Sequence, residues 1–157
     1  MSLWMVHVYL YWALMAGCCG YALAAGGGPE RWVAAIFVVG DALSIAAMSP
    51  LAVRYARLET ATFAIDLVMA LLLLYLALRS RRYWTLWICA FQIVQAASHI
   101  AGVMRPEVLR LAYGILISLW AYPMMLVLAV ATLRHRIRLA RYGEDPAWTA
   151  GNENVAG

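Results

Sequence analysis

Lysine is absent from this 157-residue chain, and charge of either sign is scarce: 13% of the residues are charged and all twelve basic side chains are arginine. Hydrophobic residues make up 66% of the sequence and the mean hydropathy is +0.76, against the roughly 45–50% apolar residues of a soluble domain. A water-soluble fold of this size is therefore not expected. The three cysteines, Cys18, Cys19 and Cys89, form no C-x-x-C pair and no Cys/His ligand spacing. That removes a disulfide framework and a zinc site, and no metal ligands are assigned. There is no phosphate-binding glycine loop, dinucleotide fingerprint, G-x-S-x-G elbow or His-Glu-x-x-His helix, so no catalytic residues are assigned either. No internal repeat is visible, which argues against an inverted-repeat transporter in one chain. The basic pI finds its counter-charge in anionic lipid headgroups, not in nucleic acid.

What the chain does have is five apolar runs that approach the ~20 residues needed to cross about 30 Å of hydrocarbon. They cover residues 3–25, 32–49, 60–78, 85–104 and 107–133, with a basic helical extension over 134–142 and a flexible cytoplasmic tail over 143–157. Gly26-Gly27-Gly28-Pro29 breaks the first run from the second, and Pro50 ends the second. Backbone groups in lipid must bond within their own segment, so each run is expected to be a helix. The short loops make neighbours antiparallel. The expected fold is all-α, a polytopic compact bundle of five transmembrane helices.

Arginine sets the orientation. Arg31, Arg79, Arg81, Arg82, Arg134, Arg136, Arg138 and Arg141 fall on one side, and Arg54, Arg57, Arg105 and Arg110 on the other. The richer side is cytoplasmic by the positive-inside rule, which puts the N-terminus outside and the C-terminus inside. The composition, rich in alanine and lacking lysine, suggests a bacterium, and hence its inner membrane. Arg134, Arg138 and Arg141 share one helix face and are expected to meet lipid headgroups. Pro123 is expected to kink the fifth span by freeing the carbonyl of Leu119.

Inside the apolar runs lie a few groups that lipid does not tolerate unpaired. Asp41 and Asp66 cost roughly 2.5–3.5 kcal/mol each on insertion scales. Gln92, Gln95 and His99 have the spacing i, i+3, i+7 of one helix face, bordered by Ser98, and Ser44 lies one turn from Asp41. At 1.5 Å per residue, Asp41, Asp66, Gln92 and Gln95 sit about 10–16 Å below the outer end of their spans, and His7 and His99 about 6 Å. Antiparallel neighbours bring the first four to one level.

These residues allow several chemistries. Asp41, Ser44, Asp66, Gln92, Gln95, Ser98 and His99 could line a pocket that binds a small ligand or cation or relays protons, since low dielectric favours a neutral carboxyl that exchanges its proton. His7 and His99 at matching depth could be axial ligands of a b-type haem, in a haem- or quinone-binding electron-transfer subunit. The carboxylates could serve as acid and base in an intramembrane enzyme acting on a lipid or isoprenoid. The plainest alternative is a structural accessory protein whose polar groups only hold helices in register. The leading expectation is a small non-enzymatic inner-membrane protein with a ligand or proton pocket, working as a homo-oligomer or with other membrane subunits. Length, span number and abundant tryptophan resemble the tryptophan-rich sensory proteins in outline. Those proteins carry a Trp-x-Pro-Pro-x-Trp-type loop early in the chain, which this sequence does not have, and no membership is inferred.

Overall fold

The computed structural model describes residues 3–47, 60–104 and 119–148. Among these residues the fold is all-α, with five helices and no strands: α1 (Leu3–Ala25), α2 (Gly28–Ala47), α3 (Thr60–Arg79), α4 (Trp84–Met104) and α5 (Ala121–Tyr142). Among the described residues, two stretches are suited by length and composition to crossing a membrane, Met5–Ala25 of α1 and Thr60–Arg79. The five-span expectation is thus met only in its coarser form, a five-helix bundle with two apolar candidate spans. Of the other three expected spans, 32–49 and 107–133 run into residues outside the described set, and each of the three also holds polar side chains. Glu30, Arg31 and Asp41 lie in α2, Gln92, Gln95 and His99 in α4, and four arginines with His135 in α5.

Each helix packs on its sequence neighbours, and α5 packs on α1 and α4, which closes the ring. The interior is filled by Met15, Cys19, Val33, Phe37, Leu73, Ile88, Met124, Met125 and Leu128. The outward face of α3 carries Leu67, Val68, Leu71, Leu72, Tyr75 and Leu78, all exposed. Asp66, Gln92, His99, Thr85 and Thr132 are buried instead. Buried polar groups thus join an apolar interior, and large apolar side chains also cover the outer face of α3.

Two ends differ from expectation. Pro123 follows a break at Trp120, and the span it was expected to kink lies largely outside the described residues. It sits in the first turn of α5, whose N-cap is Trp120, where its missing N–H has no intrahelical partner to lose. Residues 107–118, the expected first part of the fifth span, and residues 48–49, the end of the second, lie outside the described residues. At its other end α5 stops at Gly143, whose φ of 78° favours glycine and whose N–H caps the Leu139 carbonyl at 2.9 Å.

That left-handed turn sends the chain back toward the α3–α4 connection. Within the segment expected to be a flexible tail, residues 143–148 pack there, and 149–157 lie outside the described residues. Arg81 N–H donates to the Ala147 carbonyl at 3.1 Å, and Ser80 pairs with Trp148 in an isolated bridge. Asp145 anchors the segment: Arg82 Nη2 and His135 Nδ1 each reach Oδ2 at 2.6 Å, and Arg138 Nε reaches Oδ1 at 2.8 Å.

Candidate functional site

Asp66 faces inward from the middle of α3, opposite the polar face of α4. Its Oδ1 accepts from Gln92 Nε2 at 3.0 Å and from Gln95 Nε2 at 3.1 Å. Its Oδ2 lies 2.8 Å from His99 Nε2, which donates when it carries the hydrogen. Gln92 Nε2 also reaches the Asp66 backbone carbonyl at 3.3 Å. One carboxylate thus gathers three side chains spaced i, i+3, i+7, because those positions fall on one face of α4. Both ends of the Asp66–His99 pair are buried.

The amide groups are only half used. Gln92 Oε1 and Gln95 Oε1 are buried and have no hydrogen-bond partner. Leaving such an acceptor unmet costs about 1–3 kcal/mol, so an orphaned pair marks a place where a donor is wanted. Both residues border a small cavity of about 50 Å³, lined also by Tyr11, Asp41, Ser44, Asp66 and Met69. Asp41 enters it from α2, and its Oδ1 accepts from Tyr11 OH of α1 at 2.8 Å. The cavity can hold water or a small ion, since one water needs roughly 10–15 Å³ of such space. The residues that line it carry carboxylate, amide and hydroxyl groups, a set suited to a cation or a hydrogen-bond donor.

Of the sequence-derived residues, Asp41, Ser44, Asp66, Gln92 and Gln95 border this cavity, and His99 backs it through Asp66. Ser98 does not join them. Its hydroxyl donates to the Val94 carbonyl of its own helix at 2.8 Å, a common way for a helical serine to satisfy itself. His7 and His99 have different partners. Tyr122 OH lies 2.9 Å from His7 Nδ1, and the His99 ring packs near Phe63. Arg134 and Arg141 are exposed on α5, whereas Arg138 is tied to Asp145.

Sequence reasoning missed Tyr11 and the whole Asp145 cluster. It also missed Glu30, which is wholly buried in the first turn of α2 with neither carboxylate oxygen hydrogen-bonded. A Cβ at Gly27 would stand 3.0 Å from Glu30 Oε2 and 2.9 Å from His135 Cε1, so the two side chains crowd the same glycine. In the Asp145 cluster, burial alone would raise the carboxyl, but hydrogen bonds from Arg138, Arg82 and His135 and the Arg82 charge hold it down at about 2. No family model, curated protein or solved structure matches this chain.

Proposed function

We propose that this chain is a small non-enzymatic inner-membrane protein of a bacterium. Its five helices cross the bilayer with the N-terminus outside and the C-terminus cytoplasmic. Its interior polar cavity takes up a small cation or passes protons, and the protein works as a homo-oligomer or beside other membrane subunits. The membrane placement draws support from the exposed apolar face of α3 and from the ionisable Asp66 and His99 buried behind it. A soluble monomer rarely exposes a contiguous apolar face as large as that of α3, and intramembrane ionisable groups turn to the bundle interior.

The observation that carries the functional reading is the pairing of a saturated carboxylate with unsaturated amides. Asp66 is held by two amide donors and by the His99 ring nitrogen, so its position is fixed, while Gln92 Oε1 and Gln95 Oε1 are left without partners. A cation or hydronium in the cavity would receive those two oxygens, with Asp41 opposite. In the relay version, the proton passes from Asp41 across solvent in the cavity to Asp66 and on to His99 Nε2. Helix registration alone does not account for two buried acceptors without partners on residues that border a cavity.

The test is proton flux into liposomes holding the purified full chain under an imposed potential. Wild type is expected to conduct, with Asp66→Asn and Asp41→Asn reduced to the protein-free leak. Equal flux in all three would overturn the relay version. Selective cation binding lost in the same variants would then carry the cation version.

A further inference from the structure

The cavity leaves unused a long apolar groove on the other side of its wall. Met69 sits on Gly40, where any Cβ would collide with its thioether, and these two residues border both spaces. Beyond them, α2 and α3 part to form two adjoining hollows of about 410 and 480 Å³ that share Trp32, Ile36 and Leu72. The walls are almost wholly apolar toward Leu43. At the other end they gain Arg79, which stands 5.6 Å over the Tyr75 ring, and the Trp148 indole. Trp148 is there because the Asp145 anchor folds residues 143–148 back, laying its indole on Gly28, where a Cβ would stand 2.9 Å from Nε1.

We propose that this groove holds one anionic phospholipid of the bilayer, its phosphate beside Arg79 and one acyl chain running between α2 and α3 toward Met69. This rests on the membrane placement proposed above. Three features select the occupant. From Trp32 to Leu43 the groove runs about 16 Å at 1.5 Å per residue, close to one leaflet, half of a ~30 Å hydrocarbon core. The basic and aromatic groups are confined to one end, as a headgroup region requires. That end carries exposed Arg31, Arg79 and Arg81, and each arginine near a surface favours an anionic headgroup. A second copy of the chain would need an apolar ridge along the whole groove and would have no use for a cationic end.

The test is native mass spectrometry of the full chain in mixed micelles of detergent with phosphatidylglycerol or phosphatidylcholine, with carbonate extraction of cell membranes run in parallel. One retained phosphatidylglycerol is expected, in preference to phosphatidylcholine. Arg79→Ala should lower that preference about fivefold. Val68→Trp, which fills an exposed stretch of the groove, should reduce retention of both lipids. Equal retention of the two lipids, retention unchanged in Arg79→Ala, or a lipid-free dimer would each overturn the inference. A chain released by carbonate would remove the membrane placement itself, whereas an integral chain indifferent to lipid charge would remove only the groove's occupant.

Discussion

Asp66 Oδ2 and His99 Nε2 lie 2.8 Å apart, side chain to side chain, with both ends buried between α3 and α4. Removing one member of a buried hydrogen-bonded pair strands the other, at about 1–3 kcal/mol. Asp66→Ala strands the Gln92 and Gln95 amides as well as the His99 nitrogen, so it should destabilise the protein more than His99→Ala. The two changes together should cost less than their sum, with a coupling of about 0.5–3 kcal/mol. Thermal melts of the four proteins in one detergent provide the cycle. Strict additivity would mean that the pair contributes nothing of its own.

Tyr11→Phe removes the hydroxyl that donates to Asp41 Oδ1 while keeping the ring. The orphaned carboxylate should cost about 1–3 kcal/mol, seen as a lower melting temperature. Tyr122→Phe, which releases His7 Nδ1, serves as a comparison at another tyrosine that faces no carboxylate. An equal effect of the two changes would deny Asp41 its special dependence on Tyr11.

Glu30 has no hydrogen-bonded partner for either carboxylate oxygen and is wholly buried. Any charge on a carboxyl without partners is uncompensated there, and the similarly shaped Gln cannot carry one. Glu30→Gln should therefore raise the melting temperature, by about 2–4 °C for each kcal/mol recovered. A fall of similar size would show that the carboxylate has a stabilising partner.

The 143–148 return depends on Asp145. Its carboxyl is lowered from the ordinary 3.8 to about 2, so the stability it confers is complete above pH 3.8 and is lost as pH falls through about 2. Hydrogen exchange of the Arg81 amide, which donates to Ala147, should stay protected at pH 5 and lose protection toward pH 2. Asp145→Asn should show weak protection at every pH. Protection independent of both pH and Asp145 would assign the return to the Ser80–Trp148 contact alone.

The placement of Gln92, Gln95 and His99 toward Asp66 was legible because helical spacing and span depth are local and countable. Ser98 shares the edge of that face, but a serine one turn beyond a carbonyl can satisfy itself, and spacing does not reveal that choice. Tyr11 was hidden by its type, since an aromatic ring in an apolar run looks like packing until a carboxylate is found beside it. The Asp145 cluster was invisible for a different reason. Arg82 and Asp145 are far apart in sequence, no periodicity links them, and their meeting depends on the left-handed turn at Gly143. Five apolar runs were countable in the sequence, and of these α1 and α3 qualify as candidate spans among the described residues.

The central claim is that the space bounded by Asp41, Gln92 and Gln95 is occupied by something that meets their open oxygens. The most direct measurement is a high-resolution structure of the protein in a lipid bilayer, read at that point. The account predicts ordered density for water or a cation within hydrogen-bond reach of Gln92 Oε1 and Gln95 Oε1, lost in Asp66→Asn. A dry cavity, closed by rotation of the two amides onto protein donors, would contradict it.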